Sequence, residues 1–331
     1  MTSSSRVAGV TLACGAALAV VLMVSPLVGP SSLDFRAALA GASPHKEILF
    51  AVRLPRVLLA ALAGGALAVA GLLFQALLRD SLADPYTLGV SSGSALGAVM
   101  AICFGGLRVF GLPAVGASAF AGALTVLLLV TALASRGRRI SSFTLLLAGV
   151  TVNSIAIAGV LFLHNLADYG QSFAIVRWLM GGIEAVDYST LAILAVIVFA
   201  TLGFVFARAR DWNLIAVGEE WAAARGVSPA PLLRWGFLAG ALLTASVTSL
   251  TGPIGFLGWI VPHALRLRLG ADHRALIPCS FLTGAAFLTV CDTVARTVLA
   301  PIEISVGVLT AMLGGPFFLW MLGSRRRSLW L

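Results

Sequence analysis

The side chains able to do chemistry are few in this chain and lie far apart. Among 331 residues there are 13 Asp and Glu, 22 Lys and Arg, four His and four Cys. Asp292 and Arg296 stand four residues apart in an otherwise apolar stretch, one helical turn, so each can neutralise the other. His263, in Val261-Pro262-His263-Ala264, has no second metal ligand at binding distance in sequence, and a structural imidazole is the simpler reading. His164 and Tyr169 fall together in an expected loop, where they serve as surface. Cys14, Cys103, Cys279 and Cys291 lie in or beside apolar runs with no paired spacing, which fits small buried side chains better than ligands or disulfides. HExxH and Walker A patterns are absent. No catalytic constellation is visible.

The elements around these residues are unlike those of a soluble domain. Hydrophobic residues make up 60% of the chain and charged ones 11%, and mean hydropathy is +1.02. Charge-free windows of about 17 residues or more, enough to cross about 30 Å of hydrocarbon as helix, recur along nearly the whole length. Ten are read, near 7–29, 57–78, 88–104, 109–134, 142–163, 188–207, 233–252, 254–269, 275–298 and 304–322. Gly252-Pro253-Ile254-Gly255 favours a turn inside the charge-free run 235–265; without it the count is nine. Residues 1–30 also resemble a secretory signal, but no small-x-small cleavage site followed by a soluble domain supports that reading. Gly89, Gly93 and Gly97 recur every four residues, a strip that predicts close helix packing.

Charge distribution sets the expected orientation. With the amino terminus inside and ten crossings, fifteen of the 22 basic residues fall on the cytoplasmic side. The other seven are Arg36, Lys46, Arg53, Arg56, Arg108, Arg177 and Arg296. Both termini are therefore expected in the cytoplasm. The net charge of +9 expresses this bias and implies no nucleic-acid partner; runs such as Ser324-Arg325-Arg326-Arg327 suit anionic lipid headgroups. The longest polar connection, residues 208–231, carries Asp211, Glu219 and Glu220, helix-forming Ala222-Ala223-Ala224, and Gly226 as a helix end. It reads either as a short amphipathic helix on the cytoplasmic face or as a solvated loop. Few unpaired charges fall at mid-membrane depth, which argues against an ion-driven secondary transporter, the distant alternative.

Several short motifs, weak singly, occur together and in order: Arg53-Leu54-Pro55-Arg56, Leu82-Ala83-Asp84-Pro85, Leu88-Gly89-Val90-Ser91-Ser92-Gly93, Leu147-Ala148-Gly149-Val150, Gly252-Pro253-Ile254-Gly255-Phe256, Val261-Pro262-His263, Asp272-His273-Arg274, Gly307-Val308-Leu309-Thr310 and Gly314-Gly315-Pro316-Phe317-Phe318. Over essentially its whole length the chain resembles the FecCD family of binding-protein-dependent ABC importer permeases, which handle iron–siderophore chelates, haem and vitamin B12. The resemblance implies an all-α polytopic membrane protein of about ten helices, with the BtuC-like type II ABC importer fold, as a single transmembrane permease domain, 1–331, in the bacterial cytoplasmic (inner) membrane. An inverted repeat is further suggested by Leu62-Ala63-Gly64-Gly65-Ala66-Leu67 and Leu238-Ala239-Gly240-Ala241-Leu242-Leu243, which open segments of opposite expected direction.

The same resemblance implies partners and roles. The chain would pair with a second copy of itself as a homodimer, above two cytosolic ABC ATPase subunits and below a periplasmic or lipid-anchored substrate-binding protein. It would be no enzyme and would hold no cofactor, ATP and Mg belonging to the ATPase. Arg53, Arg56 and Arg296 match the exposed arginines that meet acidic residues of the binding protein. Gly218, Ala222, Ala223, Gly226 and Val227 match the coupling helices that seat in the ATPase. Asp80, Ser81, Leu82, Ser141 and Ser142 match the inner gate, although Asp80-Ser81-Leu82 departs from the family's Asn-Pro-Leu. Val150, Thr151, Asn153, Val308 and Met312 would line the pathway. A ferric siderophore is the expected cargo, with haem or cobalamin as the alternative.

Overall fold

The computed structural model describes residues 4–80, 83–86, 88–105, 108–109, 112–136, 139–140 and 142–325, without side chains at 4–6, 108–109, 112–113, 134–136, 139–140, 142 and 321–325. Fifteen α-helices follow one another: α1 Ser4–Val24, α2 Phe35–Leu39, α3 His45–Glu47, α4 Leu54–Leu78, α5 Val90–Phe104, α6 Ala114–Ala134, α7 Ser142–Leu166, α8 Tyr169–Leu179, α9 Tyr188–Ala207, α10 Ala209–Val217, α11 Glu219–Ala224, α12 Pro229–Thr251, α13 Leu257–Leu269, α14 His273–Ala295 and α15 Val306–Arg325. A π-helical turn, Ile48–Arg53, joins α3 to α4. Seven helical stretches are long and apolar enough to span a membrane; α5 and α15 are apolar but shorter in the described residues. The ten expected segments coincide with α1, α4 to α7, α9 and α12 to α15, with boundaries shifted by a few residues. The short helices α2, α3 and α8 were not anticipated. His164 lies in the last turn of α7, not in a loop, because that helix continues to Leu166.

The helix α4 is the axis of the bundle. Its sequence is apolar on every side, and apart from Leu54, Arg56, Leu58, Leu62 and Leu78 all its residues are buried. It packs most extensively on α14, and also on α12 and α13. By contrast α9 buries a single stripe, Leu191, Leu194, Val198, Thr201 and Val205, at helical spacing, and leaves Val196 and Phe199 exposed. Such outward apolar faces suit lipid or another helix.

Small residues permit the tightest contacts. A methyl group at Gly97 would collide with the Ser118 carbonyl oxygen, and one at Gly93 with Val126, so these two residues of the expected strip lie directly against α6, whereas Gly89 caps α5 with φ +80° and faces the Gly149 carbonyl of α7. Gly71 meets the backbone of Gly258 in the same way, placing the start of α13 against the lower half of α4. There Gln75 Nε2 donates to the Gly258 carbonyl at 3.3 Å. Long α4 and long α12 are each followed by described residues outside any helix, 79–80, 83–86 and 88–89 after the first and 252–256 after the second, and then by a short helix, α5 and α13. Irregular backbone within a membrane bundle is tolerated when protein encloses it; Asp84 satisfies part of the first stretch by accepting the Tyr86 N–H at 3.0 Å. As the contacts below show, α4 and α12 run in opposite directions, which suits an inverted repeat.

Candidate functional site

Polar side chains concentrate at the two ends of the bundle. At the first end, where α1, α4 and α14 meet, Asp292 is fully buried and faces two guanidinium groups. Arg56 Nε donates to its Oδ1 at 3.0 Å, and Arg296 Nε approaches its Oδ2 at 3.7 Å. The expected helical-turn pair is thus present, but Arg56 makes the shorter contact. Arg56 Nη1 also donates to Glu303 Oε2 at 2.9 Å, tying in the segment before α15.

The expected exposure of the three arginines is corrected here. Arg53 is 3% exposed and Arg296 2%, while the Arg56 side chain is 12% exposed. The physical reason at Arg53 and Arg296 is the chain leaving α1, which supplies carbonyl oxygens to both, and at Arg56 it is the pair of carboxylates just described. Arg53 donates to the carbonyls of Pro26 and Leu27, each at 3.1 Å, and to that of Ser31. Arg296 Nη2 donates to the Ser25 carbonyl at 2.6 Å. Buried guanidinium groups need such a complement, because an unpaired buried charge is very costly.

Beside this network opens a cavity of about 780 Å³, within the range of ligand pockets. Its rim carries two opposed ion pairs, Arg56 with Glu303 and Arg177 with Glu184, and its wall includes Phe173 and Trp178 of α8. The α8 helix is begun by a capping box, Asp168 with Gln171, a signal readable in Asp168-Tyr169-Gly170-Gln171. Ser305 Oγ donates to the Met180 carbonyl at 2.9 Å, and Gly182 N to that of Thr251 at 2.8 Å, so the end of α12 and the start of α15 lie here too.

The second end is organised by α10 and α11, which form where residues 208–231 left helix and loop open. Trp212 is fully buried, donates Nε1–H to the Val205 carbonyl at 2.8 Å, and fits between Leu77 of α4 and Gly236 of α12. Asn213 Nδ2 donates to Asp272 Oδ1 at 2.9 Å, and the His273 N–H donates to Asn213 Oδ1 at 2.8 Å. Asp272 in turn caps α14 and pairs with Arg274; these hydrogen bonds, those from Arg274 foremost, hold its carboxyl well below the usual carboxylate range. Arg79 pairs with Glu219 at 3.6 Å, and Arg266 Nη2 donates to Gln75 Oε1 at 2.8 Å. The α10–α11 pair is therefore fastened to α4, α12 and α14 together.

Of its expected coupling residues, Gly218 separates α10 from α11, Ala222 is buried, Ala223 is exposed, and Gly226 and Val227 close α11. Gly226 adopts φ +82°, and the pattern Gly226 N–H to Ala223 O with Val227 N–H to Ala222 O, both 3.0 Å, is a Schellman motif that glycine favours. Trp212 and Asn213 were not singled out from the sequence. An indole among arginines was the available signal.

The expected pathway residues divide between two helices. Val150 and Thr151 are exposed on α7 and Asn153 is half-buried beside Gly89; Val308 and Met312 are exposed on α15. The α7 helix packs on α5 and α6, whereas α15 packs on α13 and α14, so different neighbours hold the two. Asp80 is exposed just after Arg79, which adopts a left-handed conformation. Ser81, Leu82 and Ser141 lie outside the described residues, and of Ser142 only the backbone is described.

A helical bundle with outward apolar faces, ion-paired at one end and carrying an anchored helical pair at the other, defines a polytopic membrane protein. Residues 17–324 match the FecCD transport family. The hemin transport system permease protein HmuU of Yersinia pestis is 37% identical over 94% of both chains. The Fe(3+) dicitrate transport system permease protein FecD of Escherichia coli is 37% identical over 92% of this chain and 95% of its own. The cobalamin import system permease protein BtuC of Halobacterium salinarum is 40% identical over 84% and 74%. Among solved structures, an inward-facing conformation of a metal-chelate type ABC transporter superposes with a TM-score of 0.84 at 30% identity, covering 96% of this chain and 99% of that one. The chain belongs to the FecCD transport family. It is a multi-pass inner-membrane transport subunit of an ABC importer, and ATP hydrolysis belongs to a separate subunit.

Proposed function

We propose that this chain is the permease through which a ferric siderophore enters the cell, working as a homodimer over two cytosolic ATPase subunits and under a substrate-binding protein. Both termini then lie in the cytoplasm, the whole chain is one permease domain, and ATP and Mg are bound by the ATPase alone. The single observation that carries the reading is the fastening of α10 and α11 to α4, α12 and α14 through Trp212, Asn213 and Glu219. A load applied to exposed Ala223 and its neighbours reaches three core helices at once. ATP binding closes the two cytosolic subunits, and the seated α10–α11 pairs convert that closure into rearrangement of the lower helices around the pathway residues Val150, Thr151, Asn153, Val308 and Met312. Asp80, Ser81, Leu82, Ser141 and Ser142 form the gate at that end.

At the opposite end, the binding protein docks through Arg56, and Arg53 and Arg296 position it from behind. Burial of those two supports this division of labour, since a buried guanidinium held by carbonyls is not free to meet a partner. Glu303, 47% exposed, is the carboxylate that an incoming acidic residue would replace on Arg56. Such exchange orients docking more than it adds affinity. Ferric chelates as cargo are supported by the FecD relative and by the metal-chelate transporter's structure. Haem is the second reading, favoured by the HmuU relative's 94% coverage at 37% identity.

Reconstitution with the cognate binding protein and ATPase, followed by competition among ferric siderophores, haem and cobalamin, tests the cargo. Haem or cobalamin outcompeting every ferric siderophore would refute the siderophore reading. Accumulation by the chain alone in liposomes, driven by an ion gradient, would refute the importer mechanism itself.

A further inference from the structure

A groove at the second end starts beside the coupling residues Gly226 and Val227 and continues past them, away from the ATPase. It has a volume of about 880 Å³ and runs between α9 and α12. Measured along the helices at 1.5 Å per residue, it extends about 12 Å from Arg208 to Ala200 and about 20 Å from Ser228 to Leu242. Those lengths match one leaflet, roughly half of a 30 Å hydrocarbon core. A cytosolic protein cannot reach so far into the membrane.

The lining separates sharply by depth. The deep part is apolar, with Phe204, Leu238 and Leu242, and its one hydroxyl, on Thr201, is already spent on the Ile197 carbonyl at 2.7 Å. Apart from the Trp235 indole N–H, the polar side chains stand at the mouth: Arg208, Asp211 and Ser228. Arg208 Nη1 donates to Asp211 Oδ2 at 3.2 Å, leaving further guanidinium N–H groups and the carboxylate's other oxygen available. Ser228 heads α12 without using its hydroxyl as a cap. The mouth therefore offers a cation and an anion side by side, above an apolar channel.

We propose that this groove binds a zwitterionic phospholipid with a primary ammonium headgroup, a phosphatidylethanolamine. Its acyl chain lies against Phe204, Leu238 and Leu242, its phosphate accepts from Arg208, and its ammonium donates to Asp211. Charge complementarity selects this occupant. An anionic phosphatidylglycerol satisfies Arg208 but brings its negative charge against Asp211, and a quaternary ammonium has no N–H to donate to the carboxylate.

The test uses the full-length chain extracted in mild detergent from membranes containing both phosphatidylethanolamine and phosphatidylglycerol, with the retained lipids quantified by mass spectrometry. The wild type should retain phosphatidylethanolamine about fivefold above its membrane ratio, the discrimination expected of one surface ion pair. Asp211→Asn, at the exposed mouth, should fold and lose that enrichment, and Leu238→Trp should lower total retained lipid by filling the channel. Retained lipid of bulk membrane composition, enrichment of phosphatidylglycerol, or an unchanged ratio in Asp211→Asn would each overturn the proposal.

Discussion

Asp292→Asn is the sharpest perturbation of the first end. The substitution keeps the shape of the side chain and an oxygen for Arg56 Nε, yet it removes the one buried anion between two guanidinium groups. Afterwards Arg56 and Arg296 share only Glu303, which is largely open to solvent. Breaking a buried pair from one side costs about 3–5 kcal/mol, because a charge remains without its partner. Arg296→Met is the informative comparison. It leaves Asp292 still paired with Arg56 at 3.0 Å and frees the Ser25 carbonyl, for a smaller cost of about 1–3 kcal/mol. At about 2 °C per kcal/mol for a chain of this length, the apparent melting point in detergent should fall by roughly 6–10 °C for Asp292→Asn and by roughly 2–6 °C for Arg296→Met. Combining the two should recover part of the larger loss, since one cation of the unbalanced pair is gone. Equal shifts for both single substitutions, or an additive double variant, would show that charge balance around Asp292 is not what holds α1, α4 and α14 together.

Four further outcomes are expected. Gly97→Ala should destabilise the chain by about 1–3 kcal/mol, because its new methyl meets the Ser118 carbonyl, whereas Gly9→Ala, facing open space, should be close to neutral; thermal melts of the pair check this. Trp212→Ala should cost about 3–5 kcal/mol and raise ATP hydrolysed per cargo molecule taken up, measured in proteoliposomes with the full complex. Proline at Ala223 should abolish uptake while the ATPase still hydrolyses ATP; normal uptake would reject the coupling assignment. Asp272 titrates below its unfolded value, so its stabilising effect is complete above about pH 4 and fades as pH falls through its folded pKa. The melting penalty of Asp272→Asn should therefore be full at pH 7 and shrink below about pH 4; a penalty independent of pH would show that its charge is irrelevant.

Much of the fold is legible in the chain because membrane helices announce themselves by length and lack of charge. The break at Gly252-Pro253-Ile254-Gly255 is plain from its clustered Gly and Pro, and the close packing at Gly93 and Gly97 from one residue type at a fixed spacing. Polar contacts between distant segments leave no such mark. Nothing near Arg53 in sequence indicates that carbonyls of Pro26, Leu27 and Ser31 will close over it, and an arginine at a helix start reads as exposed on local grounds alone. The pair Asp292 and Arg296 was visible through its four-residue spacing, while the stronger partner, Arg56, lies 236 residues away. Likewise Trp212 and Asn213 gain their roles only when α4, α12 and α14 arrive beside them.

The two ends also differ in a way that bears on transport. At the first end the buried arginines are gathered around a single carboxylate and gripped by backbone carbonyls, an arrangement that is costly to take apart. At the second end, apart from the buried Trp212, the fastenings are one amide and exposed or half-exposed ion pairs, each worth little alone and each able to re-form after a shift. The proposed drive through α10 and α11 needs that asymmetry. The end receiving the stroke must yield through contacts that break and re-form, and the opposite end must stay rigid enough that the movement opens a path instead of dissipating.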